Sequence, residues 1–433
     1  MLQLSQLRNI HDHHSKVENN SSSSITIPLV PEHGNPQADG VQPESHSTES
    51  VTSKTRPPPE LPLFSSTANW PISSITLEIP AAFPVPTKIE IQNDESTSSN
   101  IPIPTETVAT VFEAEFPFQN DLDLDFPSHV LKALSNEKPY NYPTNGKHTY
   151  AYATFMATRN PSIKDPYFMA IHSLIYRVLW SPRSRSEGYP FIVFVGDFVT
   201  MEQRELLAGA GAIVRELAPL EWNPNTPGAQ HRWKDLFAKL NMWKETEFSR
   251  ILFLDADAFP TTNIDDMFEL GVSQHCLGSN LEPDDYLLDG SPVCEPYVFA
   301  GVPQNPFNET NRNINVGSMV FSPSERMHQR LLQNYVKTDR YDCMMAEQAF
   351  LNWQFAPQGA FPATQLDRAY GGFFPQEDEE GKLKVIHEKL WADDRMWMKR
   401  EWLTQWEEMI QFYTSPAFLE SRAASLGLFE TLE

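Results

Sequence analysis

Two aspartates at the end of an apolar run are the residues of this chain with the clearest potential for chemistry. Asp255 and Asp257 follow the run 251–254, which lacks helical periodicity and therefore predicts a strand buried on both faces of a sheet. If the chain is still extended there, both carboxylates point to the same side of the sheet edge. Such a pair suits a hard divalent cation that also holds a phosphate. The motif is common, however, and taken alone it favours helix capping or surface charge.

A second group of polar residues ends a strand far downstream. The segment LKVIHEKLW predicts a strand that ends in His387, with Lys389 two residues later. Two carboxylates, one imidazole and a diphosphate form an octahedral ligand set, and mixed oxygen and nitrogen ligation suits Mn²⁺ better than Ca²⁺. Lys389 is spaced to neutralise the same diphosphate. We therefore expect Mn²⁺, with Mg²⁺ as the alternative, where these two strand ends meet.

Strands and helices alternate along the part of the chain that would position these residues. The segments TYAYATFMAT, YPFIVFVGD and AIVREL predict strands, and YFMAIHSLIYRVLW and MEQRELLAGAG predict the helices between them. This alternation indicates a mostly parallel sheet covered by helices, an α/β fold. The amphipathic segment RWKDLFAKLNMWKETEFSR predicts a further helix just before the acidic strand. Its spacing alone places Lys239 towards solvent.

Composition divides the 433-residue chain into two regions. Residues 1–145 are rich in Ser, Pro, Thr and Asn and predict a disordered, low-complexity region, because little burial is available to offset the entropy of ordering. Residues 146–433 predict the α/β domain. Asp121, Asp123 and Asp125 repeat the alternation of acidic and apolar residues, but they lie in the first region and are interpreted as a solvated charge run.

Charge, cysteine content and hydrophobicity narrow the class of protein. The formal net charge is −24, from 57 acidic and 33 basic residues, which argues against nucleic acid or an anionic membrane as a partner. The cysteines, Cys276, Cys294 and Cys343, are odd in number, so no disulfide framework is expected, which favours a reducing compartment. No apolar run is long enough to span a membrane. A cytoplasmic protein is expected, or one of the Golgi or secretory lumen if the gene model lacks an N-terminal anchor.

Six landmarks in a fixed order connect these observations. They are AKLNMW, ILFLDADAF, NIDDMF, NINVGSMVFSPS, AEQAFLN and VIHEKLW. In this order they resemble glycosyltransferase family 8, the glycogenin-like retaining enzymes, from about Tyr150 to Trp391. The resemblance implies a GT-A fold, a UDP-sugar donor (UDP-glucose, UDP-galactose or UDP-N-acetylglucosamine) and a manganese ion held by Asp255, Asp257 and His387.

The resemblance also implies roles for individual residues. Phe155, Ala157 and Tyr167 would hold the uridine, and Lys389 would contact the diphosphate. Lys239 would contact the donor sugar, against the prediction from spacing, and would act with Glu347 and Gln348 near the reacting carbon. The full set implied to contact the donor or its metal is Phe155, Ala157, Tyr167, Asp255, Ala256, Asp257, Asn315, Gly317, His387 and Lys389.

Two departures from the family pattern and several alternatives stay open. Glu347 and Gln348 stand where the family usually has Asp-Gln, and the segment from His387 to Trp391 is shorter than in glycogenin-type chains. A sugar-phosphate nucleotidyltransferase is the alternative enzyme, although the first strand is followed by no glycine-rich loop. A non-catalytic protein that binds sugar nucleotides is the third reading. The saccharide or protein acceptor is not identified, and a homodimer is one expected assembly.

Overall fold

The computed structural model describes residues 112–142, 150–224, 231–308 and 310–424. Its strands are β1 (Tyr150–Met156), β2 (Phe191–Val195), β3 (Ile213–Glu216), β4 (Arg250–Leu254), β5 (Ala258–Pro260), β6 (Phe299–Pro303), β7 (Ile314–Phe321), β8 (Thr364–Gln365), β9 (Gly372–Phe373) and β10 (Val385–His387). Its α-helices are α1 (Ser128–Ala133), α2 (Pro166–Leu179), α3 (Met201–Gly209), α4 (Met267–Leu270), α5 (Glu325–Asn334), α6 (Ala346–Gln354), α7 (Met396–Tyr413) and α8 (Pro416–Ala424). Short 3-10 helices cover Pro117–Gln119, Gly278–Asn280, Pro283–Asp285, Cys343–Met345, Arg368–Tyr370 and Glu377–Glu379, and a long one covers His231–Lys244.

The strands form two sheets that meet near the acidic motif. The larger sheet has seven strands in the order β3-β2-β1-β4-β7-β6-β8, and the smaller has three in the order β5-β10-β9. Strands β3, β2, β1 and β4 are parallel, whereas β7 runs antiparallel to both of its neighbours. The predicted α/β class with a mostly parallel sheet is therefore confirmed.

Two apolar cores cover the two faces of the larger sheet. In β1, Tyr152 and Met156 point into the core that contains α2, while Ala153 and Phe155 point into the core that contains the long 3-10 helix. Because both faces are covered, β2 and β4 consist of nearly continuous apolar residues without alternation. The pattern that predicted these strands is a direct consequence of this burial.

The segment before β4 forms a helix, but of the 3-10 type. An amphipathic helix was predicted over residues 232–250; the observed element is His231–Lys244, and its apolar residues pack in the core. Trp243 anchors it by stacking on Phe321 of β7, with ring centroids 4.2 Å apart. The tighter winding places residues three apart on one face. Lys239 lies on the buried side of this helix, only 3% exposed.

Residues 112–142, which precede the domain boundary predicted at residue 145, contact the α/β domain. Helix α1 packs on α3, and Leu131 is fully buried. The supposed charge run also has partners: the Asp121 carboxylate accepts hydrogen bonds from Asn160 and Ser162. The apolar residues between the acids pack against the core, which offsets the ordering entropy. The predictions for residues 1–111 and 143–149 lie outside the described residues.

The cysteine prediction is wrong for one pair. Cys276 and Cys294 form a disulfide, with Cα atoms 5.3 Å apart. The pair closes a turn within the loop-rich stretch that precedes β6, so an odd total count did not exclude a bridge. Asp285 of the same stretch is buried and pairs with Arg330 of α5 at 2.7 Å. None of the helices in the described ranges has both the length and the apolar character needed to cross a membrane.

Candidate functional site

Asp255, Asp257 and His387 converge where the two sheets meet. His387 pairs with Ala258 across the antiparallel β10–β5 ladder, which places its ring beside the preceding Asp257. Its Nε2 atom lies 3.3 Å from Oδ1 of Asp257 and 3.9 Å from Oδ2 of Asp255. One ligand atom from each of the three side chains lies within 4.8 Å of the others. The predicted convergence of these residues is therefore observed.

The acidic motif itself is a turn rather than an extended strand. Strand β4 ends at Leu254, and the amide of Ala258 donates to the carbonyl of Asp255 at 2.9 Å. The prediction that both carboxylates point to one side of the sheet assumed an extended chain through both aspartates, and the chain is not extended there. They converge instead because the turn reverses the chain into β5, whose partner β10 carries His387.

Gly317 of β7 makes room for the cluster. A Cβ atom at this position would collide with Cε1 of His387 and Oδ2 of Asp255. The Gly317 carbonyl accepts a hydrogen bond from the amide of Asp255 at 2.8 Å, and its own amide donates to Oδ1 of buried Asn315 at 2.9 Å. Asn315 and Gly317 therefore hold the backbone that carries Asp255.

Lys239 is buried inside the site, so the solvent-facing position predicted from spacing is wrong. Its ammonium donates to Oδ1 of Asp255 and to Oε1 of Glu347, at 2.9 Å in both cases. Its Nζ atom also lies 4.9 Å above the Phe253 ring. Burial alone would lower the pKa of Lys239, but the charges of Asp255 and Glu347 outweigh burial and raise it. A buried amine with two carboxylate partners stays charged.

Lys389 pairs with the second aspartate. Its Nζ atom lies 2.8 Å from Oδ2 of Asp257. Burial alone would raise the pKa of Asp257, but the Lys389 charge and the contact with His387 outweigh it and lower that pKa. Asp257 is therefore held as a carboxylate. Its backbone carbonyl also accepts from the amide of Glu388 at 3.0 Å, which fixes the segment between His387 and Lys389 against the turn.

Glu347 and Gln348 reach the site from the first turn of α6. Gln348 accepts a hydrogen bond from the amide of Val316 at 3.2 Å, next to Gly317. One turn later, Asn352 exchanges hydrogen bonds with both backbone groups of Ile314, at 2.8 and 2.9 Å. These contacts join α6 to β7. Sequence reasoning missed Asn352, although its position four residues after Gln348 placed both on one helix face.

The three residues expected at the uridine lie at the end of β1, directly after it, and at the start of α2. Phe155 is buried among the core residues on one face of the sheet, and Ala157 packs at the edge of the same core. Tyr167 begins α2 on the other face, where its ring lies 5.3 Å from that of Trp391. Tyr167 thus lies on the Lys389 side of the site.

The donor set fits a divalent cation. It combines two carboxylates with one imidazole, and Oδ2 of Asp255 and the His387 ring occupy the space that Gly317 leaves open. Nδ1 of His387 is buried and has no hydrogen-bond partner in the part of the chain that is described, so Nε2 carries the polar contacts of the ring. Mixed oxygen and nitrogen ligation of this kind suits Mn²⁺ and also admits Mg²⁺.

Comparison with known proteins gives a family match over just over half of the chain. The model of Glycosyl transferase family 8 matches residues 167–387. An uncharacterized protein of Schizosaccharomyces pombe is 27% identical over 308 residues, covering 62% of this chain and 81% of that protein. Galactinol synthase 7 of Arabidopsis thaliana is 27% identical over 304 residues, covering 63% and 86%. Galactinol synthase 1 of Solanum lycopersicum is 28% identical over 251 residues, covering 56% and 72%.

Solved structures give weaker similarity. The glycosyltransferase GlyE of Streptococcus pneumoniae is 16% identical with a TM-score of 0.39, covering 63% of this chain and 64% of that chain. Mouse xyloside xylosyltransferase 1 is 13% identical with a TM-score of 0.35, covering 56% and 97%.

Proposed function

Because the chain belongs to glycosyltransferase family 8, we propose that it transfers a hexose from a UDP-sugar to an acceptor, with the help of a divalent metal ion and with retention of anomeric configuration. The observation that carries the proposal is the convergence of Asp255, Asp257 and His387 within 4.8 Å. Two lysines flank this cluster, one bonded to each aspartate: Lys239 is buried and Lys389 is partly exposed. A site of this charge pattern suits a diphosphate bound through a metal.

The three convergent side chains would hold Mn²⁺ or Mg²⁺. When bound, the cation supplies positive charge that neutralises the departing diphosphate. Lys389 supplies a second positive charge on the Asp257 side and donates hydrogen bonds to the same diphosphate. The remaining residues proposed to line the donor site are Phe155, Ala157, Tyr167, Ala256, Asn315 and Gly317.

Lys239, Glu347 and Gln348 are proposed to act near the reacting carbon. The Lys239–Glu347 pair is fixed at 2.9 Å and is buried, so both groups are held in place before a donor arrives. In the transfer, the bond from the anomeric carbon to the UDP oxygen breaks, and UDP leaves with the electron pair. A bond from the same carbon to the acceptor oxygen forms, and the proton of that hydroxyl passes to the departing UDP.

The choice of donor is guided by the relatives. Several of them bear the name galactinol synthase, so UDP-galactose is the first donor to assay, followed by UDP-glucose and UDP-N-acetylglucosamine. The saccharide or protein acceptor stays open, as does the predicted homodimer. Since the acceptor is unknown, an assay that follows UDP is preferable to one that follows product.

The test is metal-dependent release of UDP. The full chain is stripped of metal with a chelator and incubated with each UDP-sugar, with and without added Mn²⁺. We expect UDP release from one donor when Mn²⁺ is present, and its loss in Asp257→Asn. Asp339→Asn, which changes an exposed carboxylate on another loop, is the matched control and should behave as wild type.

The alternatives give different outcomes in the same experiment. A nucleotidyltransferase would instead release pyrophosphate from UTP and a sugar 1-phosphate. A non-catalytic protein would bind UDP-sugar without turnover. Metal-independent UDP release, or full activity of Asp257→Asn, would contradict the proposed role of the cluster.

A further inference from the structure

A short segment from before β1 lies against the donor site. We call residues 116–126 the N-terminal strap. Its backbone is tied to the loop after β1, where the amide of Leu122 donates to the carbonyl of Lys164 at 2.9 Å. The Asp121 carboxylate accepts from Asn160 and Ser162 of the same loop, at 3.0 and 2.6 Å. The strap is therefore anchored to the loop that leads into α2.

The other end of the strap is anchored to helix α7. Trp406 of α7 donates its indole hydrogen to the carbonyl of Asp125 at 3.2 Å. The Phe126 ring packs between Phe168 of α2 and Trp406, with centroid separations of 5.9 and 6.3 Å. These contacts join segments that are about 280 residues apart in the chain. The strap is thus part of the folded domain and holds a fixed position.

Fixing the strap brings Phe118 to the edge of the metal cluster. The indole of Trp391 donates to the Phe118 carbonyl at 3.0 Å, and the Phe118 ring stacks on that of Phe116, with centroids 5.4 Å apart. The Phe118 and Tyr167 rings meet edge to face, with centroids 6.4 Å apart. Phe118 is therefore held by one backbone bond and by aromatic neighbours on two sides.

The Phe118 ring receives the ammonium group of Lys389. Nζ of Lys389 lies 5.4 Å from the ring centroid, within the range of a cation–π contact, and 2.8 Å from Oδ2 of Asp257. The lysine is thus oriented by a carboxylate on one side and by an aromatic ring on the other. Lys389 contacts Oδ2 of Asp257, whereas the oxygen of that carboxylate that faces His387 is Oδ1.

We propose that Phe118 is a positioning residue of the donor site, which holds the Lys389 ammonium towards the diphosphate of a bound nucleotide. This inference rests on the proposed function, because it requires a diphosphate beside Lys389. It also gives the segment before the α/β sheet a part in donor binding. A flexible lysine that is already oriented loses less conformational entropy when the ligand binds.

The test is calorimetric titration of UDP into the full chain with Mn²⁺ present. Phe118→Ala should raise the Kd for UDP about three- to tenfold, the range expected for loss of one cation–π contact. Phe118→Trp should bind UDP about as tightly as wild type because it keeps an aromatic face. Phe118→Leu, which lacks one, should bind UDP as weakly as Phe118→Ala. Phe307→Ala is the matched control, since it removes an exposed ring that also receives a cation, Arg368, in another loop.

A double-mutant cycle separates positioning from simple packing. In the Lys389→Met background, Phe118→Ala should have no further effect on UDP affinity, because the ring acts through the lysine. The inference would be overturned if Phe118→Leu bound UDP as tightly as wild type, or if Phe118→Ala left the Kd for UDP unchanged. It would also be overturned if Phe118→Ala weakened UDP binding equally in the Lys389→Met background. If wild type binds no UDP at all with Mn²⁺, the proposed function itself fails, and the inference fails with it.

Discussion

Nζ of Lys239 lies 2.9 Å from Oδ1 of Asp255, so a buried cation is bonded directly to the first carboxylate of the proposed metal site. This contact occupies one carboxylate oxygen and leaves Oδ2 facing His387. The same ammonium is bonded to buried Glu347. Lys239 therefore orients Asp255 of the proposed metal site and neutralises the buried charge of Glu347 on helix α6.

The first prediction concerns Lys239→Met. This change leaves the Glu347 carboxylate buried without its cation, and breaking a buried ion pair costs about 3–5 kcal/mol. The free energy of unfolding, measured by urea denaturation, should fall by about that amount. UDP release should also fall, because Asp255 loses the bond that orients it.

A second substitution separates the two effects. Adding Glu347→Gln to Lys239→Met removes the unpaired charge, so most of the lost stability should return while UDP release stays low. A Lys239→Met chain as stable as wild type would show that the buried pair is not required for the fold.

The second prediction concerns Gly317→Ala. The added methyl group would collide with His387 and Asp255, so one of them must move. Affinity for Mn²⁺, measured by calorimetry, should fall by at least about tenfold, as expected when ligand orientation is disturbed. Gly188→Ala is the control, because a Cβ atom there meets no neighbour within 4 Å. Wild-type Mn²⁺ affinity in Gly317→Ala would argue against a site at this cluster.

The third prediction concerns pH and His172, away from the site. Its ring is fully buried between Phe126 and Phe168, and within the described ranges neither ring nitrogen has a hydrogen-bond partner. Burial lowers its pKa from 6.5 to about 3. Because the folded state binds this proton less readily than the unfolded chain, the stability due to neutral His172 is present above pH 6.5 and is lost as the pH falls towards 3.

The expected size of this effect follows from the pKa shift. As the pH is lowered from about 7 to about 5, the low pKa of His172 should reduce the free energy of unfolding by about 2 kcal/mol. In His172→Leu the fall in unfolding free energy over this range should be smaller by that amount. His129→Leu, at an exposed position on α1, should change the pH dependence little. Identical pH profiles for wild type and His172→Leu would contradict the account.

Features that depend on local pattern were predictable from the sequence. The strands β1, β2, β3 and β4 follow from apolar runs, and the family order of the landmarks placed His387 with the two aspartates. The GT-A fold expected from the resemblance is confirmed by the family match and the mostly parallel sheet. Ser324 is the N-cap of α5, and its side chain accepts from the amide of Met327.

Features that depend on contacts distant in the chain were not predictable. The burial of Lys239 requires Glu347, which is 108 residues away and whose approach no spacing reveals. The ordering of the segment around Asp121 depends on Asn160, Ser162 and Trp406, none of which is near it in sequence. In the same way, Cys276 pairs with Cys294 because a loop brings them together, although the count of cysteines suggested otherwise.

A Mn²⁺ titration of the metal-free chain shows whether Asp255, Asp257 and His387 bind one divalent ion. Calorimetry on wild type, Asp257→Asn and Asp339→Asn compares loss of one proposed ligand with loss of an exposed carboxylate. We expect one Mn²⁺ per chain in wild type and Asp339→Asn, and an affinity at least about tenfold weaker in Asp257→Asn. Equal Mn²⁺ affinity in all three proteins would contradict this expectation.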